Sequence, residues 1–233
     1  KKMRIVMLNG QNHKGSTYHI GRMIGDKIPG NNEIREFFFP RDLNHFCVGC
    51  YKCIDDEKEC PYYEEKKVIL DVIEDADVLI VTTPTYCSHV SAPLKAFIDL
   101  TFDYWMSHRP RKCMFSKRAV IVSTSVGSSP KSAMKDVGDA LFYLGVPSIT
   151  KYGIAVQAMN WDGVRISKKE KIDKDTSRIA ARLSRREKPH VGIKTRFIFH
   201  MMRMMQKSGW GSSPVEKEYW EQNGWLGKER PWK

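Results

Sequence analysis

Cys47, Cys50, Cys53 and Cys60 fall within 14 residues, in the pattern Cys-x2-Cys-x2-Cys-x6-Cys-Pro. Sulfurs spaced two residues apart can turn toward one metal centre, and a fourth a few residues on completes a set of four soft ligands. Such a set suits an iron–sulfur cluster. It also suits zinc, a redox pair of thiols, or cysteines that carry no metal. Cys87 and Cys113 stand apart and read as incidental thiols. A second kind of chemistry is legible in Gly15-Ser16-Thr17, which closes a polar loop that opens with Asn9, Gln11 and Asn12. Free N–H groups at the start of a helix, flanked by two hydroxyls, favour a phosphate. The loop lacks both Gly-x-Gly-x-x-Gly and Gly-Lys-Ser/Thr, so a single phosphate monoester fits better than a dinucleotide or nucleoside triphosphate; a plain N-cap by Ser16 or Thr17 is the structural alternative.

These residues need a scaffold, and the apolar pattern supplies one. Arg4–Asn9, Ile34–Phe39, Val78–Thr83, Ala119–Ser125 and Ile149–Gln157 read as strands, Val78–Thr83 being a continuous β-branched run of the kind buried on both faces. Helical spacing falls between them, over Thr17–Lys27, Glu64–Glu74, Ala92–Met106 and Lys131–Leu144. Five strands alternating with helices imply an α/β fold with an open, doubly wound parallel sheet. Ligands bind such sheets beyond the carboxyl ends of the strands, where the loops 9–17, 84–90 and 123–129 lie.

The second of these loops carries a family pattern. Pro84-x-Tyr86 followed by Ser91-Ala92-x-Leu94-Lys95-x-Phe97-Ile98-Asp99 resembles the ring-binding loop of flavodoxin-like, NAD(P)H-dependent FMN reductases. The first loop is similar to that family's phosphate loop, with Asn9-Gly10-Gln11 in place of the more usual Gly-Ser-Pro. Ser123-Thr124-Ser125-Val126-Gly127 is similar to its Thr-x-Gly turn. The likeness covers about residues 3–160. His108-Arg109-Pro110, Lys117 and the tail element Glu218-Tyr219-Trp220 with Gly224-Trp225 also fit it. Within the group, the compact cysteine pattern resembles that of iron–sulfur flavoproteins, which hold a [4Fe–4S] cluster near FMN. The resemblance implies a flavodoxin-like five-stranded sheet binding FMN through Asn9, Gln11, Asn12, Gly15, Ser16, Thr17, Pro84, Thr85, Tyr86, Cys87, Ser88, His89, Val90, Thr124, Ser125 and Gly127. Cys47, Cys50, Cys53 and Cys60 would be the cluster ligands. The implied reaction moves electrons from transiently bound NAD(P)H, or a low-potential donor, to a quinone, a flavin or a redox protein. It needs no catalytic acid or base from the protein, because the cofactor carries the chemistry. A flavodoxin-like carrier that docks partners through its tail without turnover is the alternative. Arg109, Arg111 and Lys112 read either as a pyridine-nucleotide phosphate contact or as a solvated basic turn.

Charge divides the chain. The whole carries +12; residues 1–164 hold 21 basic and 19 acidic side chains, and residues 165–233 hold 18 and 8. The expected organisation is therefore a nearly neutral FMN-binding domain, 1–164, with a cysteine-rich insertion at 44–62, and a basic, Trp- and Met-rich helical arm, 165–233. The arm contains helices near 167–188 and 195–205. It reads as packing on its own domain or on another subunit in a homodimer or homotetramer, in preference to lying on a membrane. No nucleic-acid motif accompanies the charge. No run reaches the length of a spanning helix, and no leader precedes the first strand, so a cytoplasmic protein without disulfides is expected.

Overall fold

The computed structural model describes residues 2–185 and 187–233. Its centre is one parallel sheet in the order β2-β1-β3-β4-β5, formed by β1 Arg4–Asn9, β2 Glu33–Phe38, β3 Val78–Pro84, β4 Arg118–Ser125 and β5 Ser148–Ala155. The three inner strands are apolar on both faces because both faces are covered. The edge strands β2 and β5 alternate between buried and accessible positions. Registers pair Asn9 with Thr82 and Pro84 with Thr124, so the carboxyl ends of β1, β3 and β4 finish at one level. The order reverses direction between β1 and β3, and this is where a doubly wound sheet opens a crevice.

One face of the sheet is covered by α2 Tyr63–Asp75, α3 Ala92–Asp99 and α4 Lys131–Tyr143, packed on Val6, Leu8, Leu79, Val81 and Ile121. The other is covered by α1 Ser16–Asp26 and α5 Ile166–Leu183. Ile172, Ile179, Ala180 and Leu183 of α5 join Ile20, Ile24, Val120 and Val122 in that layer. The first helix expected in the tail is thus the second helix of a sheet face, and the chain leaves the sheet's layers only after it.

α3 stops at Asp99 instead of continuing to Met106. Beyond it the backbone bonds tighten to three-residue spacing, Thr101 N–H to the Ile98 carbonyl and Tyr104 N–H to that of Thr101, and the buried Lys66 ammonium takes the Leu100 carbonyl and Asp103. The connection to β4 forms a shelf on which α6 Ile193–Ser208 and α7 Pro214–Gln222 rest. Phe199, Trp220 and Trp225 pack there against Met106 and Phe115. A capping box at Ser213 and Glu216 starts α7, a helix absent from the sequence reading. No described helix is long and apolar enough to cross a membrane.

Candidate functional site

At the carboxyl end of the sheet, an open cleft with about 750 Å³ of empty space, counting its mouth, is lined by residues of four loops. From the first come Asn9, Gln11, His13, Gly15, Ser16, Thr17 and Tyr18; from the second, Thr82, Pro84, Thr85 and Tyr86. Thr124, Ser125 and Val126 follow β4, and Val156, Ala158 and Met159 follow β5. Ten of the expected FMN-site residues meet here. The sequence reading missed the loop after β5, whose apolar residues carry no glycine or hydroxyl motif, as well as His13, Tyr18 and Thr82; Val126 belongs to the turn it had set beside the ring.

The loops are tied to one another by polar bonds within the protein. Asn9, fully buried, donates to the Phe37 carbonyl at 3.1 Å and accepts from the Thr82 hydroxyl at 2.8 Å. The Thr17 and Thr124 hydroxyls meet at 2.6 Å, joining the start of α1 to the end of β4. Thr85 joins β3 to β4 through Ser123, 2.9 Å away, and through its N–H to the Thr124 carbonyl at 2.8 Å. The backbone of Val156 donates to the Ser125 carbonyl. Neither Ser16 nor Thr17 is the N-cap of α1. That position belongs to Gly15, with no side-chain cap, so the first-turn N–H groups face the cleft beside two nearly buried hydroxyls. A helix start left in this state offers ready donors to phosphate oxygens.

Residues 86–89 form a tight hairpin turn, with Tyr86 and His89 exchanging backbone bonds of 3.1 and 2.9 Å. Its two central residues, Cys87 and Ser88, have φ of 47° and 69°. That left-handed pair defines the primed turn usually made by Asn-Gly. The turn exposes Tyr86 at the cleft's edge and carries Cys87, Ser88, His89 and Val90 away from the lining. His89 is drawn outward to Asp136 of α4 at 3.0 Å, and the Val90 N–H donates to the same carboxylate. Asn12 and Gly127 also lie off the lining; the Asn12 side chain accepts from the Arg41 N–H at 3.1 Å. These six positions, expected at the cleft, support or flank it instead. The donor set still fits FMN: an uncapped helix start for a phosphate, and a shallow wall of Pro84, Tyr86, Val126, Val156 and Met159 for a flat ring.

A second cavity, with about 820 Å³ of empty space counted the same way, lies beyond β2. All four clustered cysteines line it, together with Val48, Tyr51, Tyr62, Leu100 and Phe102. Left-handed backbone at Gly49 and Tyr51 lets the loop wrap back on itself. All six cysteines are free thiols. Cys47 and Cys50 are exposed, whereas burial, with Asp103 next in effect, pushes the Cys53 thiol up to about 11. Among the described residues no three His, Cys, Asp or Glu side chains are gathered to hold a single metal ion. One shared cavity for four thiols nonetheless suits a multinuclear group. Arg109 and Arg111 are not a solvated turn, both being taken up by contacts within the chain. The buried Arg109 guanidinium donates to the carbonyls of Cys53 and Ile54, the latter at 2.8 Å. Arg111 pairs with Glu57 and Glu74 and lies 4.0 Å over the Tyr104 ring. Both arginines clamp the cysteine segment to the shelf.

The sequence profile of the family described as NADPH-dependent FMN reductase matches residues 3–160. An iron-sulfur flavoprotein of Archaeoglobus fulgidus is 24% identical over 98 residues, covering 42% of this chain and 48% of the relative. An iron-sulfur flavoprotein of Methanocaldococcus jannaschii is 37% identical over 59 residues, covering 25% of this chain and 30% of the relative. The chain thus spans less than half the length of these curated relatives. Among solved structures, an NAD(P)H:quinone oxidoreductase from Methanothermobacter marburgensis superposes with a TM-score of 0.61 at 14% identity, covering 80% of this chain and all of that one. An FMN-dependent NADH-azoreductase from Bacillus anthracis, in complex with FMN, superposes with a TM-score of 0.59 at 13% identity, covering 78% and 99%. At such identities these likenesses speak for the fold.

Proposed function

Because the chain belongs to the NADPH-dependent FMN reductase family, we propose that FMN occupies the four-loop cleft and passes electrons to a small acceptor, a quinone, a free flavin or a redox protein. The chemistry FMN supplies when bound is acceptance of a hydride from NADPH or NADH and onward delivery of the electrons. The protein's own part is placement. Gly15, Ser16 and Thr17 hold a phosphate with backbone and hydroxyl donors, and the Thr17–Thr124 bond fixes that anchor to the ring wall. Pro84, Thr85, Tyr86, Thr124 and Ser125 border the ring, while the exposed Tyr86 and Met159 leave its outer face open to a second reactant. The single observation that carries the reading is the uncapped start of α1 opening into a cleft at the sheet's switch point.

Cys47, Cys50, Cys53 and Cys60 would hold an iron–sulfur cluster that supplies one-electron transfer. Their common cavity and the names of the curated relatives support this. Purification without air tests both parts. The expected result is one FMN per chain, iron and acid-labile sulfide in equal amounts, little zinc, and oxidation of NADPH or NADH when an acceptor is added. Absence of flavin absorption even after incubation with FMN would overturn the cleft assignment. Zinc in place of iron, or neither metal, would overturn the cluster.

A further inference from the structure

We infer that α6 lies along the surface of an anionic lipid bilayer, with a basic pocket at its start holding a lipid headgroup phosphate. From its sequence the arm is expected to pack on protein, and one side of α6 does so: Thr195, Phe199 and Gln206 are buried. The opposite side is bare. Ile193 (85% exposed), Phe197, Met201 and Met204 (68% exposed) recur at intervals of four, four and three residues. At about 100° per residue they fall within an arc of about 80°, opposite Phe199. Of the six tryptophans only Trp210, at 74%, is exposed, and it follows the helix between the left-handed Gly209 and Gly211.

Charge says what covers this stripe. Residues 188–215 carry five basic side chains and no acidic one, whereas residues 216–233 carry four of each, so the excess belongs to α6 and its approach. Around the helix, Lys194 borders the stripe on one side, and Arg196 and Lys207 border it on the other. None of the three forms an ion pair among the described residues. An apolar stripe edged by cations on both sides, with a tryptophan at its end, suits a helix lying in a lipid interface. The apolar side chains enter the acyl boundary while the long basic ones reach back to the phosphates. A second copy laid on the stripe would instead set these cations against their own kind, with no carboxylate between them.

The pocket is an independent observation pointing the same way. It holds about 680 Å³ of empty space, counting its mouth, between the turn before β4, the approach to α6 and residues 231–233. Lys112, Lys188, His190, Arg196 and Lys233 line it, no acidic side chain does, and it shares no residue with the FMN cleft. Arg196 gives only its Nε to the protein, donating to the Val191 carbonyl at 2.9 Å, and its guanidinium lies 5.9 Å from the centre of the Trp232 ring. Its terminal amines are left for an anion, and a guanidinium with lysines around it is a phosphate-binding set. Arg196 belongs both to the pocket and to the border of the stripe, so a phosphate held in the one lies at the edge of the other.

Cosedimentation of the full chain with vesicles tests this without reference to flavin or iron. Binding is expected to vesicles of mixed phosphatidylglycerol and phosphatidylcholine, weakening as salt rises, and not to phosphatidylcholine alone. Tryptophan emission should shift to the blue on binding, and Trp210→Phe should abolish the shift. Lys188→Gln in the pocket and Lys207→Gln beside the stripe should each lower the partition coefficient about fivefold, the effect of one cation near an anionic surface. Phe197→Gln with Met204→Gln, both exposed positions given a good helix former, should lower it about tenfold or more while circular dichroism stays that of the native fold. No binding to the mixed vesicles overturns the inference, and so does equal binding to phosphatidylcholine. Indifference to the pocket substitution or to the stripe pair overturns it as well. A dimer in sedimentation equilibrium that the stripe pair dissolves would assign the stripe to a second copy, with the same consequence.

Discussion

Thr17 occupies two roles with one hydroxyl. It lies in the first turn of α1, where backbone donors are free, and it reaches Thr124 on β4 at 2.6 Å. Val has nearly the same shape but no hydroxyl, so Thr17→Val removes the bond and keeps the packing. One lost hydrogen bond to a charged group is worth about 1.5–3 kcal/mol, so FMN should bind about tenfold more weakly or worse, while the buried Thr124 hydroxyl left without its partner should lower stability by about 1–3 kcal/mol. Titration of flavin fluorescence measures this, and an unchanged affinity would remove Thr17 from the site. Arg109 lines neither cavity. Its planar fork satisfies two carbonyls of the cysteine loop at once, which a lysine's single ammonium cannot reproduce. Arg109→Lys should retain iron about tenfold less well after anaerobic reconstitution, the usual scale for loss of a ligand's support. FMN affinity should stay as it was, and equal iron in both proteins would show that the clamp is purely structural.

At the scale of elements, what was legible depended on whether the decisive contacts were local. β1, β3 and β4 were plain because strands covered on both faces are apolar throughout, and α1 followed from the polar loop before it. α3 was read seven residues too long, since residues 100–106 keep helix-like apolar spacing while Lys66, remote in sequence, takes the Leu100 carbonyl. α5 was assigned to a basic arm because its charges dominate the composition, although four apolar positions on one side suffice to bury it against α1. Three of the cleft's four loops carried a motif, and the loop after β5 had none to offer. Gly10 shows how tightly two of these loops are coupled. A Cβ there would stand 2.4 Å from the Ser91 hydroxyl, which itself donates to the Gly10 carbonyl at 2.8 Å and accepts from Thr83 at 3.2 Å. Gly10→Ala must displace Ser91, and overpacking of this kind costs about 1–3 kcal/mol. The urea midpoint should fall accordingly. FMN affinity should fall with it, because the first and second loops separate; a stable variant would mean the backbone can yield at this point.

For the molecule as a whole, the question is whether the tail after α5 is a separate body. Composition suggests an appendage, whereas the packing makes it part of one core. Trp220 and Trp225 are fully buried against Met106, Phe115 and Phe199, and the Trp220 indole N–H donates to the His108 carbonyl. The shelf they cover also anchors the cysteine loop through Arg109, so tail, shelf and loop should unfold together. Trp220→Ala should destabilise the protein by about 3–5 kcal/mol, the range for removing a large buried aromatic. Four of the six tryptophans lie in the tail, at positions 210, 220, 225 and 232, so their fluorescence reports mainly on it, while far-ultraviolet circular dichroism follows the sheet and its helices. In urea the two signals should trace one transition in the parent protein, and both should shift to lower denaturant in the variant. A fluorescence change that precedes the loss of circular dichroism would mean that the tail comes away from an intact sheet. The shelf would then hold the cysteine loop without help from the tryptophans above it.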